Sequence, residues 1–188
     1  MTADFRDAPG RRLRIAVVAP LVTTISEPQQ GGSQVMVADL AAGLTHRGHD
    51  IDVYAATGSL IAGAHLVETG IDAASLSDAL IRPGQPRHPL RALDDAYEHV
   101  FEMVGRGGYD VVHSHGFDPP ALRRARAGRA RVIHTVHLPP EPEAADALRE
   151  AEQRDVEAER KAELADAEAA ADEKPEPDPN DEPEDEKT

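Results

Sequence analysis

The sequence has 188 residues, no cysteine and a formal net charge of −15. That charge is uneven: residues 1–140 hold 14 Arg, no Lys and 15 Asp plus Glu (net −1), whereas residues 141–188 hold 6 basic and 20 acidic groups (net −14). A near-neutral body with an anionic end lacks the clustered cationic surface that nucleic acid or an anionic membrane requires, and without cysteine there are no disulfides, thiolate metal sites or cysteine nucleophiles.

Residues 1–12 read as a flexible N-terminus. Arg11 and Arg12 precede an apolar run over 13–25 and imitate a secretory signal, but Arg14 interrupts the run, Pro20 breaks it and no small-residue cleavage site follows. No stretch approaches the ~20 apolar residues that span a bilayer. The expected protein is therefore not transmembrane, and its expected location is cytoplasmic.

Residues 13–19 are short, apolar and rich in β-branched side chains, the pattern of a strand buried on both faces of a parallel sheet. A loop rich in Thr, Pro, Gln and Gly follows over 20–32. Ser33 is the expected cap of the next helix, whose apolar face comprises Val35, Val37, Ala38, Leu40, Ala41 and Leu44; Gly48 is its expected stop. A second strand over 51–55 completes the strand–helix–strand crossover that a parallel pair needs. Weaker signals predict a third strand at 64–68, a short helix near 73–80 and a Pro-rich turn at 83–89. Leu93, Ala96, Tyr97, Val100, Phe101 and Val104 sit at helical spacing within 90–104, and Gly105, Gly107 and Gly108 end that helix. Residues 109–113 predict a fourth strand, 119–127 a short helix and 131–136 a fifth strand. Alternating strands and helices over 13–140 define an α/β domain with a doubly wound parallel sheet.

Past His137 the composition changes. Pro139, Pro140 and Pro142 break the pattern, and 143–172 is Ala, Glu, Arg and Asp with high helix propensity. Leu148, Val156 and Leu164 recur every eight residues, each rotated by about 80° from the last, so the large apolar residues form no stripe. The segment 141–172 is expected to be a charged, exposed helix, and 173–188 a disordered acidic tail.

Three segments place polar chemistry at the C-terminal ends of predicted strands, where open α/β sheets bind ligands. In the first, Gly31, Gly32 and Ser33 open a helix, and backbone N–H groups at such a terminus suit a diphosphate; a flexible loop with an ordinary cap fits the residues equally. The second is His113, Ser114 and His115, where alternation sends both imidazoles to one face. They can orient a sugar hydroxyl or shuttle a proton, or one can pack in the core while the other is solvated. The third holds His134, suited to packing, and His137, which ends its strand beside the second segment. Zinc would need Cys or acidic ligands at recognised spacing, and none accompanies these histidines, so no metal is assigned.

These segments in this order resemble the N-terminal domain of the family-4-like glycosyltransferases with the GT-B fold. The resemblance is carried by residues 14–20, then Gly31, Gly32, Ser33 and Gln34, residues 37–41 and 47–50, residues 109–115, and Thr135, Val136 and His137. It implies a Rossmann-like half of an enzyme that moves a sugar from a nucleotide-sugar donor to an acceptor hydroxyl, with retention, without a structural metal and with no further cofactor. It also implies that Gly31 and Gly32 face the donor diphosphate, that His115 is the catalytic residue beside the transferred sugar, and that His137 lines the cleft. The family's second, donor-binding domain is expected after residue 140 and has no counterpart in 141–188. The expectation is an acceptor-side half that needs a partner chain for catalysis; a sugar- or acceptor-binding module without turnover, a truncated remnant and an interaction protein are the alternatives.

Overall fold

Residues 11–27, 31–79, 91–124, 126–137 and 142–172 are described in the structure, a computed structural model. In chain order the elements are β1 (Arg14–Val18), α1 (Gly32–His46), β2 (Asp50–Ala55), β3 (His65–Glu68), a 3-10 helix (Ala73–Ala79), α2 (Arg91–Arg106), β4 (Val111–Ser114), α3 (Pro119–Leu122), β5 (Arg126–Ala127), β6 (Ala130–His134) and α4 (Pro142–Asp172). The sheet order is β3-β2-β1-β4-β6-β5. The first five of these strands are parallel, and the two-residue β5 runs antiparallel along the edge of β6. This is the Rossmann-like α/β architecture expected from the alternation.

Alternation along the strands builds two apolar layers. Ile15, Val17, Val53 and Ala55 pack with Val37 and Ala41 of α1 on one face. Ala16, Val18, Tyr54 and Val112 pack with Ala96, Tyr97, Val100 and Val104 of α2 on the other. Each large side chain buried in these layers contributes roughly 1.5–3 kcal/mol of transfer free energy, which is why α2 holds its register although its outer face is charged. The loop after β1 is also anchored. Leu21 and Ile25 are fully buried, and the Ile25 N–H donates to Ser59 Oγ at 3.0 Å.

The predicted helices and principal strands are present, with shifts of a residue or two at their ends. Gly48 has φ +87°, as the stop after α1 requires. Three local readings change. Ser33 is not the helix cap: Gly31 is, without a side-chain cap bond, and Ser33 lies inside the first turn. The short helix after Pro119 lasts one turn, and a tight hairpin of β5 and β6 follows. Its signal was Gly128-Arg129, where positive φ at the Gly alone (+61°) matches a type II′ turn. Finally, α4 is exposed over 156–168 apart from the half-buried Glu159, but Ala144, Ala147 and Ala151 nearer its start are buried. The Pro-rich turn at 83–89 and the acidic tail at 173–188 lie outside the described residues.

Gly128 is constrained twice, by its positive φ and by a Cβ position only 2.7 Å from the Gly105 carbonyl oxygen of α2. Backbone cannot swing away as a side chain can. Gly128→Ala is expected to destabilise the fold by about 1–3 kcal/mol, read as a lower urea midpoint; an unchanged midpoint would show that this hairpin does not bear on α2.

Candidate functional site

The connections from β1 to β2 and β3 run one way across the sheet, and those from β4 to β6 run the other. Their C-terminal ends therefore diverge between β1 and β4, the topological switch point where doubly wound sheets open a crevice. The N-terminus of α1 follows β1, and His115 follows β4 directly, its N–H donating to the Val18 carbonyl at 2.8 Å.

His113 and His115 share one face, as alternation requires, with ring centroids 4.3 Å apart. His137 stacks on His115 at 5.1 Å, and its Nε2 lies 2.9 Å from His115 Nδ1, a hydrogen bond between the two rings. Thr135 ties β6 to β4 twice: its N–H donates to the Ser114 carbonyl at 2.9 Å, and its Oγ1 bonds His113 Nε2 at 2.7 Å. His134 points elsewhere and bonds the Arg124 carbonyl through Nε2 at 2.8 Å, the structural role expected of it. Thus three of the four histidines converge. His115 is buried and His113 partly buried.

Behind this group the backbone is tightly packed. A Cβ on Gly116 would lie 2.8 Å from both Ala121 Cβ and the Tyr97 hydroxyl, so only Gly lets the chain turn away from His115 here. Tyr97 in turn donates to Asp118 Oδ2 at 3.0 Å.

Across the crevice, the first helical bond of α1 runs from Val35 N–H to the Gly31 carbonyl at 3.3 Å. The amides of Gly32, Ser33 and Gln34 precede it and have no intrahelical acceptor. Among the described residues, nothing stands within 4 Å of a Cβ placed on Gly32, whereas one on Gly31 would meet the Gln34 side chain. Gln34, buried in the same turn, donates from Nε2 to Thr23 Oγ1 at 2.9 Å. Sequence reasoning placed Gln34 in the glycine motif without giving it a role. Its signal was a polar residue at a position where α1 turns inward.

Polar satisfaction separates the two ends of the sheet. Near the strand N-termini, Asp52 accepts from Tyr109 (2.6 Å), Arg14 (3.3 Å) and His65 (2.7 Å), and Tyr109 meets the Tyr54 hydroxyl at 2.8 Å. Burial pushes the Asp52 carboxyl up, but these hydrogen bonds and cations outweigh it and leave its pKa below the ordinary value. At the C-terminal edge the reverse holds. Among the described residues, the buried side-chain atoms with no hydrogen-bond partner are Gln34 Oε1, His115 Nε2 and His134 Nδ1, all on segments that leave that edge. Buried polar atoms are ordinarily paired, so each of these asks for a reason.

Burial sets the charge of the histidines. His115 is 1% exposed, and that burial, with His113 and His137 beside it, lowers its pKa to about 3. His113 is lowered by burial and then by His137, and His137 by burial. At neutral pH the stack is therefore three neutral imidazoles, able to donate and accept hydrogen bonds and to relay a proton. Among the described residues no three His, Asp or Glu side chains are arranged to hold a metal ion, and no helix is long and apolar enough to cross a membrane.

The parallel sheet, its flanking helices and the switch point between β1 and β4 define an α/β domain of the Rossmann-like kind. The model of Glycosyltransferase Family 4 matches residues 30–169, which is 140 of the 188, and the chain belongs to that family. The match runs from the glycine segment through most of α4. No curated protein matches the sequence.

The lowered histidines make stability depend on pH in a definite direction. Below about pH 6.5 the unfolded chain binds protons that the folded stack refuses, so stability present above that pH is lost as it falls toward the folded values. The His115 contribution alone is about 2 kcal/mol by pH 5. The urea midpoint is expected to drop between pH 7 and pH 5, and to drop less in His115→Gln. An equal drop in both proteins would remove His115 as the source.

Proposed function

We propose that residues 13–140 form the acceptor-side half of a retaining, metal-independent glycosyltransferase that takes a nucleotide-sugar as donor and a hydroxyl group as acceptor. Membership of the family supports sugar transfer in general. The observation that carries the finer reading is the unpartnered Nε2 of His115 at the switch point. A buried ring nitrogen without a partner costs about 1–3 kcal/mol, and a substrate hydroxyl that reaches it recovers that cost on binding.

In this reading His115 is the catalytic residue and touches the transferred sugar. The ring pair fixes what it offers. If His137 Nε2 carries the shared proton, His115 presents an N–H donor at Nε2; if His115 Nδ1 carries it, Nε2 presents a lone pair. His137 therefore controls the tautomer, and both it and His113 wall the cleft. The amides of Gly31, Gly32 and Ser33 at the start of α1 face the leaving diphosphate, stabilising negative charge through unsatisfied N–H groups and the helix dipole. Such preorganised donors supply much of the rate in transfers of this type.

The remaining contacts to the nucleotide come, in this proposal, from a donor-binding domain on a partner chain in the cytoplasm. The same geometry without such a partner makes a sugar-binding module, and the two cases separate by titration. UDP, GDP and their sugar conjugates, titrated into the full chain, are expected to bind more weakly than about 1 mM, roughly −4 kcal/mol. Tighter saturable binding would place a complete donor site in this chain and overturn the need for a partner. In a preparation that transfers sugar, His115→Ala is expected to lower kcat by about 10²–10⁴-fold with the fold retained. Wild-type turnover by that variant would remove His115 from the mechanism.

A further inference from the structure

The segment after β6 is gripped from two sides, and the second side lies outside the histidine site. Thr135 bonds the Ser114 carbonyl and His113 Nε2, and His137 bonds His115 Nδ1 at 2.9 Å. Val136, between them, packs instead against the buried cluster that Leu122 of α3 forms with Ala144 and Ala147 of α4, which Leu148 also joins. Ala144, Ala147, Leu148 and Ala151 fall at i, i+3, i+4 and i+7, which is one stripe of a helix. Ala147 and Leu122 are essentially inaccessible, at 1% and 0% exposure.

Charged groups flank the seam and fix its register. Arg131 of β6 pairs with Asp155 at 3.1 Å and also with Glu159. Arg123, at the end of α3, lies 3.6 Å from Glu150, while Arg154 donates to the Arg123 carbonyl at 3.4 Å. A cleft of about 440 Å³ beside the seam is lined by Asp94, Glu98, Arg123, Arg124, Arg154 and their neighbours. No histidine lines it, and Arg123 and Arg124 face acidic partners within 4 Å. We assign it no ligand.

We propose that α4 is a strut for the histidine edge: its small-residue stripe fixes Val136, and Val136 in turn holds His137 at hydrogen-bond distance from His115. Val136 and Ala147 are then positioning residues. This rests on the reading of His115 and His137 as the sugar-side groups. The physical reason is short range. The His115–His137 bond is 2.9 Å long and is the hydrogen bond His115 makes through its ring. A slip of 1 Å takes it beyond bonding distance and leaves both ring nitrogens of a buried imidazole unpartnered, a state that buried polar groups avoid. With no bond to His137 the tautomer of His115 is no longer set, although neither α4 nor Val136 need touch a substrate.

The test is histidine-ring NMR on the ¹⁵N-labelled full chain, comparing wild type with Val136→Ala, Val136→Ile and Ala147→Glu. In wild type the His115 Nδ1 and His137 Nε2 resonances should report one shared proton. Val136→Ala and Ala147→Glu should shift both resonances away from that signature while the amides of Val17 and Val53 in the sheet keep theirs. Val136→Ile, which preserves the apolar contact, should retain it. Unchanged rings in Val136→Ala would overturn the proposal. So would Ala147→Glu if it left the α4 amides protected from exchange, or released them without moving the rings. Should Ala147→Glu fail to fold, Val136→Ala decides alone. The readout involves no ligand, so coupled rings in a chain whose His115→Ala variant still transfers sugar at the wild-type rate would sink the proposed function and leave the strut standing.

Discussion

Parallel pairing of β1 with β4 is the constraint on which the histidine edge depends. The register sets Val17 opposite His113 and Val18 opposite Ser114, and the His115 N–H then continues the ladder to the Val18 carbonyl. Because β1 also pairs with β2 on its other side, these two neighbours are the point where the sheet's winding changes direction. A βαβ crossover has one favoured hand, so β2 and β6 leave this point on opposite sides and the crevice is a consequence of topology. A residue placed just after β4 is delivered to that crevice whatever its chemistry. This chain places an imidazole there.

What the topology delivers, burial then tunes. At the strand N-termini, Asp52 sits among hydroxyl, imidazole and guanidinium partners, so its charge is stabilised and the network closes on itself. At the C-terminal edge, three imidazoles stack with no carboxylate hydrogen-bonded to them among the described residues, and desolvation keeps them neutral. The first arrangement favours a fixed structure; the second leaves bonding capacity unspent. Satisfied and unsatisfied polar groups thus lie at opposite edges of one sheet, and mutations at the two ends should have different consequences for the same reason.

The fold was legible because its signals are strong and redundant. Residues 13–19, 51–55 and 109–113 are buried on both faces and read as apolar runs, while Leu93 to Val104 repeats at helical period, so local pattern and tertiary environment agree. The histidine group was legible in part: alternation alone puts His113 and His115 on one face. It does not say which becomes buried, since that depends on Thr135, Val136 and His137, with His113–Thr135 and His115–His137 each 22 residues apart in the chain. The misses have physical causes of their own. Ser33 has the chemistry of a cap, but the backbone already turns helical one residue earlier, at Gly32, and an N-cap must precede that turn. Strand β5 is two residues long and pairs with two residues of β6, too short for any periodic signal, and only Gly128 marked it.

The alanines of α4 show a different kind of difficulty. A search for large apolar residues finds Leu148, Val156 and Leu164, which lie on different sides of the helix, and it concludes that the helix has no docking face. Ala144, Ala147 and Ala151 are weak in hydropathy yet complete the stripe with Leu148, because a small side chain lets two helices approach closely and bury the surface around it. The large residue then comes from the partner: Leu122 of α3 is fully buried against these alanines. Charge obscured the pattern further, since Glu150, Arg154 and Asp155 flank the stripe and read as a solvated face, although Arg123 and Arg131 draw two of them onto the body. A helix rich in Ala and Glu therefore presents a specific surface when the large side chains that define its groove belong to the element it meets. That the family match continues to residue 169 rather than ending with the sheet accords with α4 being built into the domain at the edge where the histidines meet.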